Sequence, residues 1–143
     1  MNVAAILKAK GRLVTTALAT DTIEEVARKM AAKRIGAVVI VGEGGAVQGI
    51  LSERDIVRHI GEKGADVLRR PASDLMTKSV ITCSEANSLE EMMGVMTQGR
   101  FRHVPVVVDG QLAGIISIGD VVKHHIAEVE LEVTAMREYL ATG

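Results

Sequence analysis

Apolar residues recur along this chain in blocks whose spacing switches between a helical and a strand period. Val3, Ile6 and Leu7 share a helical face and Gly11 follows as a stop, which predicts a helix over Asn2–Lys10. Leu13–Ala17 leans toward a short strand. Ile23, Val26, Ala27 and Met30 then fall at i, i+3, i+4 and i+7 behind Asp21 and Glu24, an acid N-cap with a glutamate three residues on. That helix should run to about Arg34 and be broken by Gly36. The unbroken run Ala37–Val41 reads as a buried strand, Gly42-Glu43-Gly44-Gly45 as a turn, and Val47–Leu51 as the returning strand. Ser52 opens a further helix expected to turn Ile56, Val57 and Ile60 inward. Gly61, Gly64 and Pro71 punctuate a connector, with one helical turn around Val67-Leu68.

The same order then returns. Asn87, Glu90 and the set Leu89, Met92, Met93, Met96 reproduce the Asp21 helix at an offset of 66. Val104–Val108 reproduces the strand and Asp109-Gly110 the hairpin, which is one residue shorter, so Gly114 follows Gly49 by 65. A unit found twice is no solenoid; it is a tandem module whose halves share a core. The sharpest echo is Gly49-Ile50-Leu51-Ser52-Glu53-Arg54-Asp55-Ile56-Val57 against Gly114-Ile115-Ile116-Ser117-Ile118-Gly119-Asp120-Val121-Val122. Each is a strand end, a turn at serine and the first turn of a helix. Ser-x-x-Asp caps a helix, serine accepting from the backbone three residues on while the acid reaches back. The same geometry presents a hydroxyl and a carboxylate where a helix end favours anions and a ribose diol could bind. Both uses remain open at this level.

After the second echo the apolar set is Val122, Ile126, Val129, Val133, Met136 and Leu140, an a/d seam with Lys123, Glu128, Glu130, Glu132, Arg137 and Glu138 on the other faces. Such a helix either packs along its own domain or meets a second subunit. A helix of about twenty residues is ~30 Å long, more than a half-module covers, which favours the intersubunit contact.

Composition narrows the function. The chain has 143 residues, 48% of them hydrophobic and 24% charged, with seventeen basic against eighteen acidic residues and a net charge of −1. That balance, with Phe101 and Tyr139 as the sole aromatics beside four histidines, leaves neither the basic footprint nor the stacking platforms of a nucleic-acid binder. The single Cys83 forms no intramolecular disulfide and fits a reducing compartment. The start has no signal-peptide pattern and no run approaches the ~18 apolar residues of a membrane span, so the expectation is a cytoplasmic protein without membrane contact. Gly42-x-Gly44-Gly45 leads into a strand, whereas a dinucleotide loop needs a helix there. Cys83 has no histidine near it in sequence, and His124, His125 and Glu128 lack the His-Glu-x-x-His order of a zinc protease. No nucleophile, base or metal cluster emerges, and neither catalysis nor a metal is expected.

Both halves resemble the CBS (cystathionine-β-synthase) domain over about Leu13–Ile60 and Val80–Ile126, and the pair resembles a Bateman module. The resemblance rests on the doubled Gly-h-h-Ser-x-x-Asp-h-h signature, where h is apolar, and on the strand entry Arg102-His103-Val104-Pro105-Val106. It implies an α/β (α+β) fold of two β-α-β-β-α repeats packed about a pseudo-two-fold axis, with an extended C-terminal helix. The corresponding divisions are an N-terminal helix over 1–12, repeats over 13–61 and 80–126, a connector over 62–79 and a helical extension over 127–143.

The resemblance also implies two clefts for adenosine-containing ligands: AMP, ADP, ATP, NAD(H) or S-adenosylmethionine. Asp55 and Asp120 match the ribose-binding aspartate, Ser52 and Ser117 the neighbouring hydroxyl, and Arg102 and His103 the phosphate-binding basic residues. Adenine would rest on Val14, Ile35 and Gly36 opposite Asp120, and on Thr77, Val80 and Phe101 opposite Asp55. The halves differ: Gly36-Ala37 stands at the positions of Arg102-His103, and Arg54 where the second signature has Gly119. This implies unequal clefts, with the Asp120 cleft taking the more phosphorylated ligand. The implied function is a non-catalytic, homodimeric sensor acting on an unidentified regulated protein. The alternative is a structural homodimerisation adaptor with vestigial clefts.

Overall fold

The computed structural model describes residues 1–142. In chain order it holds α1 (Val3–Lys10), β1 (Thr16–Ala17), α2 (Ile23–Lys33), β2 (Ala37–Val41), β3 (Val47–Ser52), α3 (Glu53–Lys63), α4 (Ala72–Leu75), α5 (Leu89–Gly99), β4 (His103–Val108), β5 (Gln111–Ser117) and α6 (Ile118–Thr142). Gly143, the end of the expected extension, lies outside the described residues. The doubled pattern folds as two similar halves. In the first, β1 runs parallel to β2 with Thr16 opposite Val39, and β2 pairs antiparallel with β3. In the second, β4 and β5 form an antiparallel pair, and the expected leading strand shrinks to a single parallel bridge between Cys83 and Val106. Directly after Cys83 the chain turns, with Asn87 Oδ1 accepting from the Ser84 N–H at 2.8 Å.

Asp21 makes the matching turn in the first half, its carboxylate accepting from the Leu18 N–H at 2.9 Å. Both side chains are thereby used up, and the N-caps fall one residue later than expected. Thr22 accepts from the Glu25 N–H at 3.2 Å, with Glu25 reaching back, and Ser88 accepts from the Glu91 N–H at 3.1 Å. The exit falls where expected, at Arg34, and the residue in the left-handed region is Arg34 itself, at φ 54°, rather than Gly36. Arg100 repeats this at φ 55° after α5. Gly61 lies inside α3 rather than ending it; the stop is Gly64, at φ +84°. The apolar stripe of α3 is narrower than expected, since Ile56 is buried while Val57 is 69% exposed. Val57 instead lines an open groove with Ala27, Met30 and Ala31 of α2.

The two cores exchange elements. Val3, Ile6 and Leu7 of α1 pack with Leu89, Met92, Val104, Val106 and Ile116 of the second half. Val67, Ala72 and Leu75 of the connector pack with Ile23, Val26, Val38, Ile40 and Leu51 of the first. Each half is thus closed by a helical segment that precedes it or follows it in the chain, and the connector is core rather than tether. The signature glycines make room for this. A Cβ on Gly49 would lie 2.5 Å from Met76 Sδ, and one on Gly114 would lie 2.7 Å from Leu7 Cδ2. Gly114→Ala is therefore expected to cost about 1–3 kcal/mol by overpacking against the buried Leu7. Gly61→Ala, in a helix interior with open space around it, should gain roughly 0.5–1 kcal/mol. Denaturant unfolding of the two variants checks both the signs and the contrast.

The 25 residues of α6 span about 38 Å. Val121 is its one fully buried side chain among the described residues, and every described residue from Val129 onward is exposed. No helix among the described residues is long and apolar enough to cross a membrane.

Candidate functional site

Both signature turns are first of all helix caps. Ser52 Oγ accepts from the Asp55 N–H at 3.2 Å, and Asp55 Oδ2 accepts from the Ser52 N–H at 3.0 Å and the Ser52 hydroxyl at 2.9 Å. In the second half Ser117 Oγ accepts from the Asp120 N–H at 3.1 Å, and Asp120 Oδ2 accepts from the Ser117 N–H at 2.9 Å. The caps differ in what else each carboxylate holds. Asp55 Oδ1 faces the exposed Arg58, whose Nη2 stands 3.3 Å away one turn along the same helix. Asp120 Oδ2 receives Lys10 Nζ at 2.7 Å, and that ammonium also donates to the Ile115 carbonyl at 3.0 Å.

A cleft of about 300 Å³ opens between the halves at Asp55, at the small end of ordinary ligand sites. The first half supplies Gly36, Ile50 and the signature turn Ser52–Asp55, with Arg58 beside it. The other wall is Thr77, Ser79, Val80 and Ile81, followed by Arg100–His103. Four arginines thus face two carboxylates, Glu53 and Asp55, so the cleft is net positive. Burial holds His103 below the ordinary histidine range, Lys10 and Arg102 add to this, and Glu53 and Asp120 oppose it.

Of the predicted site residues, Gly36, Ser52, Arg54, Asp55, Thr77, Val80, Phe101, Arg102 and His103 line this one cleft. The basic pair Arg102-His103, expected beside Asp120, lines the Asp55 cleft, while His103 still feels the charges of Lys10 and Asp120. Packing of the halves sets the start of β4 against Gly36, where a Cβ would lie 3.4 Å from His103 Cε1. Gly36 accordingly lines the Asp55 cleft, though it was expected to face Asp120. The remaining Asp120 set is scattered. Val14 lies in a separate open groove with Lys10, Leu13, Val41 and Leu112, and Ile35 sits in a shallow groove between α2 and α3.

Sequence reasoning did not single out Arg58, Arg100, Ile50, Ile81 or Lys10. Arg58 had a signal, lying three residues after Asp55 and so on the same helical face. Arg100 is the repeat counterpart of Arg34. Lys10 had none, because its partner is 110 residues away.

Two titrations give a testable pH dependence. Partial burial works against the charge of Asp120, but Lys10 and the Ser117 N–H outweigh it and hold the carboxyl below its ordinary range. This pair stabilises the fold above the unfolded-state value near 3.8 and is lost as pH falls through the lower folded value. His103 has the opposite consequence for its neutral form. The unfolded chain takes up the proton first, so stability begins to fall as pH drops below the ordinary 6.5. Thermal midpoints should decline between pH 7 and 5 in the wild type and less so in His103→Gln. Asp120→Asn should flatten only the loss below about pH 4.

Cys83, pushed up to about 11 by burial, stays a thiol at neutral pH. Among the described residues there is no group of three or more His, Cys, Asp or Glu placed to hold a metal.

Comparison with known proteins supplies the lineage. The CBS domain matches residues 12–62 and again 72–126. The chain is 34% identical over 127 residues to the mitochondrial CBS domain-containing protein CBSX3 of Arabidopsis thaliana, covering 86% of this chain and 62% of the plant protein. It thus spans less than two thirds of that relative's length. Among solved structures, the CBS-domain containing protein ATU1752 of Agrobacterium tumefaciens superposes with a TM-score of 0.82 at 47% identity, covering 85% of this chain and 91% of that one. The CBS domain pair of protein MJ0100, in complex with 5′-methylthioadenosine and S-adenosyl-L-methionine, superposes with a TM-score of 0.79 at 25% identity, covering 90% and 98%. Twice matched in sequence and matched as a pair in fold, the chain belongs to the CBS-domain family.

Proposed function

We propose that this CBS pair is a regulatory module that takes an adenosine-containing ligand in the Asp55 cleft, where both halves contribute walls. The observation that carries the reading is the meeting of three chemistries in one cavity. Ser52 and Asp55 offer a hydroxyl and a carboxylate to a ribose diol, with Asp55 Oδ1 held only by the exposed Arg58. Ile50, Val80, Ile81 and Phe101 offer an apolar bed for a purine. Arg54, Arg100 and Arg102 offer forked donors to phosphate oxygens. The positive balance favours AMP, ATP or NAD(H) over S-adenosylmethionine, whose sulfonium adds a cation to a cationic cleft. The more phosphorylated ligand is thus assigned to the Asp55 cleft, the reverse of the assignment made from the repeat differences alone. Binding across the two halves fixes their relative position, and that is the signal a regulated protein would read; no catalytic step is assigned. The setting is a reducing compartment such as the cytoplasm.

The state proposed is a homodimer through α6. Its seam residues Val122, Ile126, Val129, Val133, Met136 and Leu140 all remain exposed in the single chain. The spacing is that of a coiled-coil strip, whose complement is a second copy of itself.

Thermal melting with AMP, ATP, NADH and S-adenosylmethionine tests the ligand reading. A ligand at a hundred times its Kd stabilises by about 2.7 kcal/mol. The expected order places ATP above S-adenosylmethionine, with the ATP effect weakening as salt rises. No shift with any of the four would leave the dimerisation adaptor as the function.

A further inference from the structure

The two signature turns are equivalent in sequence, yet the chain treats the strand residues beside them differently. On β3 the backbone of Thr77 pairs with Ile50, its N–H donating to the Ile50 carbonyl at 2.9 Å. The connector thereby adds a rung to the sheet edge and becomes a wall of the Asp55 cleft. The equivalent carbonyl on β5, that of Ile115, is held by a side chain: Lys10 Nζ at 3.0 Å. Gly11, at φ +97°, turns the main chain off the end of α1, so Lys10 reaches the strand where a backbone does on the other side. In the same position its ammonium lies 2.7 Å from Asp120 Oδ2, with the two side chains 35% and 24% exposed.

A ribose diol needs a carboxylate free to accept two hydroxyls. A tethered ammonium is a stronger donor than either hydroxyl, cancels the charge and takes Oδ2, the oxygen that also holds the Ser117 N–H. It also competes intramolecularly, at an effective concentration no free ligand easily matches.

We infer that Lys10 is an internal occupant of Asp120 that closes the second ribose turn, so that each chain takes one nucleotide rather than two. The inference rests on the proposed ligand reading of the Asp55 turn and adds a determinant of stoichiometry to it. Val14, expected to bed adenine opposite Asp120, shares its groove with Lys10.

Calorimetric titration with AMP and ATP tests it. Wild type should bind one nucleotide per chain, weakened by about one to two decades in Asp55→Asn and unchanged in Asp120→Asn. Lys10→Met should bind two, the second weakened likewise by adding Asp120→Asn. Lys10→Gln keeps an amide donor for the Ile115 carbonyl while removing the charge, so it too should bind two, and it serves if Lys10→Met does not fold. Lys10→Arg, which restores the cation, should return the count to one. Two sites in the wild type, or one site in both Lys10→Met and Lys10→Gln, would overturn the closure while leaving the ligand reading standing. No binding by any of these proteins would overturn both.

Discussion

Asparagine in place of Asp55 is expected to weaken AMP and ATP binding by one to two decades while leaving the fold intact. Asparagine is nearly isosteric with aspartate, and its carbonyl can still accept from the Ser52 N–H, so the cap survives. What is lost is the charge on the two hydrogen bonds assigned to the ribose hydroxyls. Hydrogen bonds to charged groups contribute about 1.5–3 kcal/mol, and each 1.4 kcal/mol is about tenfold in affinity. Isothermal calorimetry reads the affinity, and a thermal midpoint close to that of the wild type confirms that the cap is retained. Unchanged affinity for both nucleotides would reduce the Ser52–Asp55 turn to a helix cap. Arg102→Ala is the companion measurement. The arginine lines the same cleft, so its loss should cost ATP more than AMP.

Truncation after Ala127 is expected to convert a dimer into a monomer of about half the sedimentation mass, the intact chain being 15.2 kDa. The seam beyond that point consists of Val129, Val133, Met136 and Leu140, with exposures of 41%, 43%, 62% and 70%. Among the described residues these four side chains stay exposed along the far part of α6. Together with Val122 and Ile126 they repeat at alternating intervals of four and three residues, and Lys123, Glu130, Glu132 and Glu138 keep the flanks polar. Val133→Glu tests the same contact with one change, placing a charge in the middle of the strip. A truncated protein of unchanged mass would move the dimer contact to the shorter helices of the two halves.

The doubled architecture was legible because its determinants are local. Strand runs such as Ala37–Val41 and Val104–Val108 pair with the next strand through a short hairpin, and the Ser52 and Ser117 caps lie one helical turn from their partners. Even the misplaced caps failed by a local rule. Asp21 and Asn87 were good N-cap residues already committed to the turns before them, which left Thr22 and Ser88 to cap the helices.

Tertiary structure decided what lies far apart in the chain. The resemblance named nine residues that now share one cleft, but only the packing of the halves determined that Arg102 and His103 face Asp55. The exchange of α1 and the connector between cores was equally unreadable, because Leu7 and Met76 earn their places only against Gly114 and Gly49 on strands that arrive later or earlier. Lys10 is the plainest case. As a lysine in the last turn of a short helix it looks like dipole compensation, and a helical pattern carries no information about a carboxylate 110 residues on. Periodicity and capping are written in neighbours a few residues apart and can be read from the chain. Which of two similar turns remains open depends on long-range packing, which the one-dimensional pattern does not encode.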